Sequence, residues 1–421
     1  MSEPTLFGPE VARAIADLQP ELPLLAIHTR LRKALGQELG RQASELVELR
    51  KRAVRKLGVG LAPFVTRKGL EQASHPQVAA LRARRVAGRA SQIWDATSGI
   101  GLDSLALSSS KALLAASDLD HHTARCAQEN LAQAGFQGLV LQANARQPPF
   151  PGQGPRPDGV LIDPDRRAQG ERSLDPESWS PSLSQALELA HKLGGGCLKL
   201  SPALDPRLID ALPDCRAEWT SFEGSLAEVT LWVGPWAMGP GDRAAVAIDR
   251  AGQAQRLIAQ PSPIEALTDE QAAASIWLAE PDPAIIRSGL LGALASHVSM
   301  RPLAPQLAYL GGPERPPGPF LRSWRVLDRA PLDPKKVRHM LGKHDIGAIS
   351  VRKRGHPDPA ETLARRFAGP GTKQGHLAIA RLAKGHLALL LEPGDGLNPH
   401  QMTTKGGMVG DEGFEPPTSS V

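Results

Sequence analysis

Only three cysteines occur in 421 residues, Cys126, Cys197 and Cys215, and none sits in a C-x-x-C pair. An odd, scattered set excludes a disulfide framework and a structural zinc site, so the thiols read as core residues and no metal is expected. Aromatic residues make up 4% of the chain, with a single tyrosine. Stacking of nucleobases on exposed rings is therefore poorly supported, and Trp94, Trp219 and Trp232, which fall in strand-like runs, read as core. No stretch approaches the roughly 18 consecutive apolar residues that a membrane span requires. The opening MSEPTLFGPE lacks a basic-then-apolar layout, so a cytoplasmic protein with no membrane partner is expected.

The net charge is only +5, but it is spread unevenly. Residues 28–89 hold 15 Lys and Arg against 4 Asp and Glu, and residues 311–390 hold 16 against 6. Two basic stretches around a more acidic middle suggest contact with a phosphate backbone at both ends, or solvated faces in a chain rich in arginine and proline.

A chain of this length should hold several domains. Residues 1–90 carry only helical periodicity, with Gly36 and Gly40 as possible breaks and Ser74 as the cap of HPQVAALRARRVA. Residues 91–235 alternate short apolar runs (QIWDA, ALLAASD, GLVLQAN, DGVLID, GCLKLS) with helical segments, one of them capped by Ser180 with Pro181 in its first turn. This alternation implies a parallel sheet covered on both faces. AEWTSFEG and AEVTLWVG then read as a hairpin. Residues 236–319 form a weaker connecting β/α region, with a hairpin around Ala251 and Gly252 and the helix-like PAIIRSGLLGALASHV. Residues 320–393 resume α+β character. The tail 394–421 is expected to be disordered, and its ending GFEPPTSSV resembles translation continued past a usual stop.

The fragment IWDATSGIGLDSLAL, residues 93–107, carries the functional signal. In open α/β sheets ligands bind at the carboxyl ends of the strands, where strand order reverses. The first strand ends at Asp95 to Thr97, and Gly99 and Gly101 follow, allowing the backbone to pass close beside a ligand. A dinucleotide turn would place a third glycine at position 104, which is serine. The second strand ends at Asp118, 17 residues after Gly101, where a carboxylate can accept hydrogen bonds from ribose hydroxyls; Asp120 reads as a helix cap. The third ends at Asn144-Ala145-Arg146, where an amide can meet an adenine edge. The fourth ends in LIDPDRR, aiming Asp163 and Pro164 into the same crevice. His121 and His122 open the next helix and read as surface residues.

DATSGIG, ASDLD, QANAR and LIDPDRR resemble successive motifs of class I S-adenosylmethionine-dependent methyltransferases. FVTRKGLEQAS, IDPDRR, LDPESWSPSL, VRKRG and the basic C-terminal region resemble bacterial methyltransferase-type proteins with a THUMP-like C-terminal domain. The resemblance implies a Rossmann-like sheet of seven strands with an antiparallel last hairpin, an N-terminal helical region and a C-terminal α+β domain. It implies a donor pocket built from Asp95, Thr97, Gly99, Gly101, Asp118, Asn144 and Ala145. It also implies a substrate-facing Asp163 and S-adenosylmethionine as cofactor. From the residues themselves, Asp163 and the Pro164 carbonyl are expected to orient an attacking nitrogen or oxygen, and Arg166 or Arg167 either to hold a substrate phosphate or to pair with Glu171 or Asp175.

Three departures bear on the chemistry. Asn144 stands where aspartate is more usual. Asp165, Arg166 and Arg167 follow Pro164 where amino-directed nucleic-acid enzymes carry a second proline and an aromatic ring. No cysteine occurs at 163–167, which disfavours covalent attack on a pyrimidine. The expected activity is methyl transfer to a purine nitrogen of tRNA or rRNA, with RKRAVRKLG (50–58) and ISVRKRG (349–355) tracking the RNA backbone. The alternatives are a nicotinamide-dependent oxidoreductase and a non-catalytic RNA-binding protein on the same scaffold.

Overall fold

The structure, a computed structural model, describes residues 5–19, 21–58, 63–150, 156–166, 173–237 and 242–392. The expected tail 394–421 lies outside these residues, as does Arg167. The chain forms two compact units, one of residues 1–204 and 230–238, the other of residues 205–229 and 239–421.

The first unit opens with five helices: α1 (Pro9–Ala16), α2 (Leu24–Leu35), α3 (Gln37–Leu57), α4 (Arg67–Gln72) and α5 (Pro76–Ala87). Of the two expected breaks, only Gly36 breaks the chain, at φ +81°. Gly40 lies inside α3, where a Cβ would come within 2.6 Å of the Arg32 Cα. It is the residue that lets α2 and α3 approach. Ser74 is not the cap of α5. His75 takes that role by accepting from the Gln77 amide, and the Ser74 hydroxyl instead accepts from Arg82 at 3.2 Å.

The strands of this unit follow as β1 (Ile93–Asp95), β2 (Leu113–Asp118), β3 (Leu139–Gln142), β4 (Gly159–Ile162) and β5 (Gly196–Leu200). Between them run α6 (Leu102–Ser108), α7 (His121–Gln133) and α8 (Leu183–Lys192). β1 lies parallel to both β2 and β4, β2 parallel to β3, and β4 parallel to β5. The order is therefore β3-β2-β1-β4-β5, and the chain reverses direction across the sheet between β1 and β4, opening a crevice at their carboxyl ends. Ile93, Leu107, Leu113, Leu131, Leu161 and Trp232 pack into one core about this sheet. Trp94 is fully buried, its indole N–H donating to Ser117 Oγ at 3.0 Å. The cap of α8 is Ser182, in a reciprocal capping box with Gln185, and not Ser180. The Ser180 backbone exchanges hydrogen bonds of 2.9 and 3.1 Å with Asp165, so the helix starts after that bridge.

The next strands, β6 (Cys215–Phe222) and β7 (Ser225–Val233), form the expected hairpin, preceded by the short helix α9 (Pro206–Asp210). β7 is shared: its first half belongs to the second unit and its last residues, Thr230 onward, to the first. In the second unit β6 lies parallel to β8 (Arg243–Ile248), and β8 antiparallel to β9 (Ala254–Ala259).

A second, seven-stranded sheet completes this unit. Its elements are α10 (Asp269–Ala274), β10 (Trp277–Pro281), α11 (Pro283–Ser288), α12 (Leu291–His297), β11 (Arg301–Pro302), β12 (Leu310–Gly312), β13 (Leu321–Pro331), α13 (Pro334–Lys343), β14 (Ile346–Arg354), α14 (Ala360–Phe367), β15 (Lys373–Leu382) and β16 (Gly385–Leu391). The expected single helix over PAIIRSGLLGALASHV is two, because Gly289 turns the chain at φ +73°. The order is β11-β12-β10-β13-β16-β15-β14. α13 and α14 bury Val337, Leu341, Leu363 and Phe367 against one face, while Trp324, Leu389 and Leu391 join the core on the other. No helix among the described residues is long and apolar enough to cross a membrane.

Candidate functional site

At the carboxyl ends of the parallel strands lies a hollow of about 820 Å³. Of the residues the sequence singled out, Thr97, Gly99, Asp118, Asn144, Ala145, Asp163, Pro164 and Arg166 line it. Asp95 and Gly101 do not.

The turn after β1 is built by hydrogen bonds to the neighbouring strand ends. Thr97 Oγ1 accepts from the Asp163 amide at 2.5 Å, joining the ends of β1 and β4. Gly99, at φ +56°, donates its amide to Asp118 Oδ2 at 3.1 Å, and a Cβ here would meet only open space. Gly101, at φ +87°, is the cap of α6 and packs on Ala127, which a Cβ would approach to 3.2 Å. It shapes the turn without facing the hollow. Asp118 Oδ1 accepts from the Asp120 amide at 2.9 Å. Burial pushes the Asp118 carboxyl upward, opposed by these two amides. Asp120 caps α7. His122 packs on Phe7, ring centroids 5.6 Å apart. Asn144 Oδ1 accepts from the Arg146 amide at 3.0 Å, a turn-forming bond that leaves its amide nitrogen to other partners.

Asp95 is 2% exposed and sits behind the turn, accepting from Ser104 Oγ at 2.5 Å. Serine, not glycine, is therefore the fitting residue at position 104. Burial, with Asp103 nearby, pushes the Asp95 carboxyl up to about 7. The Asp103 carboxyl, from α6, behaves in the opposite way. Burial would raise it, but Arg82 and Lys199 more than offset this and hold it well below the usual carboxylate range.

Sequence reasoning missed two parts of the site. One is the wall supplied by α4 and its flanks, where Thr66, Lys68, Gly69, Gln72, Ala73 and Ser74 line the hollow. Lys68 pairs with Asp165 at 2.7 Å. The Phe64 amide and carbonyl are held by Asn130, at 2.9 and 2.8 Å. The other is Lys199, on β5, whose Nζ lies 2.5 Å from Asp163 Oδ2 and 3.1 Å from Asp103 Oδ2. Its signal was a single cation within the apolar run GCLKL, since a buried ammonium must be paired.

The three cysteines are buried. Burial pushes the Cys126 thiol up to about 12 and Cys215 to about 11, so neither is a nucleophile at neutral pH. Much of the charge in the two basic motifs is used within the fold. Arg50 donates to the Pro63 carbonyl and Lys56 to that of Leu70. Arg352 and Arg354 both pair with Glu280, at 3.2 and 2.6 Å, while lying over Trp324 and Tyr309.

The family described as THUMP domain-like matches residues 321–393. Two Mycobacterium tuberculosis proteins, from different strains and each described as an uncharacterized S-adenosylmethionine-dependent methyltransferase, are 31% identical over 359 residues. The match covers 83% of this chain and 96% of each relative. The crystal structure of a protein from Porphyromonas gingivalis, described as a methyltransferase, is similar in fold. Its TM-score is 0.66 at 19% identity, over 89% of this chain and 98% of that one.

Proposed function

Because this chain belongs to the S-adenosylmethionine-dependent methyltransferases, we propose that its acceptor is a purine nitrogen of tRNA or rRNA, reached in the cytoplasm. The nicotinamide-dependent alternative is set aside by that membership. S-adenosylmethionine is the cofactor, and when bound it supplies an electrophilic sulfonium methyl.

The carrying observation is the convergence of four strand ends on one hollow, with Gly99, Asp118, Asn144 and Asp163 all facing it. The absence of a Cβ at Gly99 leaves room for a ligand beside the backbone. Asp118 offers a carboxylate to ribose hydroxyls and Asn144 an amide to an adenine edge, so the residues fit the donor. Thr97 and Ala145 complete this wall, and Gly101 and Asp95 support it from behind.

On the acceptor side, Asp163 and the Pro164 carbonyl accept hydrogen bonds from an N–H and so direct the nitrogen lone pair. The donor that Asp118 and Asn144 would hold would supply its methyl to this nitrogen, its sulfur keeping the electron pair of the bond broken. The surplus proton on nitrogen leaves through the Asp163 carboxylate to water. Arg166 holds a phosphate, for which a planar guanidinium is suited.

RNA is favoured by the THUMP-like match and by the charge of the same segment. Lys335, Lys336, Arg338, His339 and Lys343 are exposed on α13, and Arg365 on α14. These residues, more than the internally paired Arg352 and Arg354, suit backbone contact. The test is methyl transfer from labelled donor to RNA, DNA and protein pools of a strain lacking the gene. The expected result is label in RNA only, abolished by Asp163→Ala. Label in protein or DNA, or activity unchanged by Asp163→Ala, overturns the assignment.

A further inference from the structure

Four charged side chains from four elements form a chain that ends in the hollow. Arg82 on α5 is 3% exposed and pairs with Asp103 Oδ1. Asp103, 13% exposed, pairs through Oδ2 with Lys199 at 3.1 Å. Lys199, 10% exposed, pairs with Asp163 Oδ2 at 2.5 Å. The signs alternate, so the set is neutral as a whole. Asp103, Lys199 and Asp163 all line the hollow, and the Asp163 side chain, 36% exposed, is the most open of them. Buried charges are costly unless each is paired, and here every one is.

We propose that Lys199 is a positioning residue for methyl transfer, fixing the Asp163 side chain turned toward the acceptor, and that Arg82 and Asp103 fix Lys199 from behind. This rests on the reading above that Asp163 meets the acceptor. An ammonium bound to one carboxylate oxygen restricts rotation about the side chain. With Oδ2 engaged by Lys199, Oδ1 is the oxygen turned to the N–H of the acceptor. An acceptor is what an N–H nucleophile requires, since its hydrogen must point at the protein for its lone pair to point at the methyl. The same arrangement disfavours a cationic acceptor such as a protonated amine, because the local charge of Asp163 is already balanced.

The test uses the full chain with Lys199→Met, Lys199→Gln and Lys199→Arg. Crystal structures of the three variants read the orientation of the Asp163 side chain directly. That side chain should leave its wild-type orientation in the Met and Gln variants and keep it in the Arg variant. Affinity for S-adenosylhomocysteine by calorimetry should stay within threefold. With RNA from a strain lacking the gene, kcat should fall about 100-fold with KM changed less than threefold, and the Arg variant should regain at least tenfold. An Asp163 side chain that keeps its wild-type orientation in the Met and Gln variants overturns the proposal. So does loss of S-adenosylhomocysteine binding in parallel with kcat, which would make Lys199 a cofactor ligand. If the wild-type protein methylates no RNA, the substrate reading falls while the Asp163 orientation still decides the role of Lys199. Should the Met variant fold poorly, the Gln variant, which keeps a hydrogen-bond donor without the charge, carries the measurement.

Discussion

The amide of Gly99 donates to Asp118 Oδ2 across 3.1 Å, tying the turn after β1 to the end of β2. One oxygen of the proposed ribose-binding carboxylate is thereby held in place before any ligand arrives, so the carboxylate is oriented in advance. Asp118→Ala should weaken S-adenosylhomocysteine binding by about 10- to 100-fold, the loss expected for hydrogen bonds to a charged group. Calorimetry measures it, with a retained cooperative thermal melt as the control, since the Gly99 and Asp120 amides also lose their acceptor. An affinity within twofold of wild type would remove Asp118 from the site.

Gly99 and Gly101 should respond differently to alanine. Both have positive φ, which costs an L-residue about 1–2 kcal/mol. At Gly99 the added methyl meets open space, whereas at Gly101 it reaches 3.2 Å from the Ala127 Cα and Cβ. Gly99→Ala should therefore lower cofactor affinity more than stability. Gly101→Ala should lower the melting temperature more than Gly99→Ala does. Calorimetric titration and thermal melts on the two variants separate these outcomes.

Asp95 gives a pH signature. Its carboxyl is pushed up to about 7 by burial and by Asp103, against an unfolded value of about 4. The folded state then holds more protons than the unfolded chain between these values, so this residue's contribution to stability falls as pH rises from about 4 to 7. Asp95→Asn, which keeps an oxygen for the Ser104 hydroxyl, removes that penalty. The variant should gain stability relative to wild type at pH 8, on the order of 2–4 kcal/mol, and gain little at pH 4.5. Denaturant melts at the two pH values check this, and an equal shift at both would refute it.

Trp236 packs against backbone that only glycine can supply. A Cβ on Gly159 would sit 2.1 Å from its Cζ2, and one on Gly195 2.3 Å from its Cδ1. Gly159→Ala should cost about 1–3 kcal/mol by overpacking. Trp236→Ala should cost about 3–5 kcal/mol through the cavity it leaves. In the double variant the alanine methyl occupies vacated space, so the combined loss should be smaller than the sum.

Much of the site could be read from the sequence because apolar runs ended in single polar residues: Asp118, Asn144 and Asp163 each close a strand, and strand ends converge in this class of sheet. Asp95 follows the same pattern yet points behind the turn, since its direction depends on Ser104 and Asp103, which lie on the following helix. Lys199 was visible only as an anomaly, one cation in a buried strand. Its partners lie 36 and 96 positions away in sequence, and no local pattern links them. The α4 wall was hidden for a related reason: helical periodicity shows which face is apolar, not which sheet it covers. The basic motif VRKRG predicted exposed charge, but a distant glutamate, Glu280, takes up two of its arginines.

The shared strand β7 limits how this protein can be made and dissected. The first unit resumes at Thr230 after 25 residues of the second have been synthesised, and the second resumes at Gly239. A ribosome therefore cannot release a finished first unit until the opening segment of the other has emerged without its companions. Trimming the gene at any one codon leaves a fragment that contains an orphaned piece of the other unit or lacks a piece of its own.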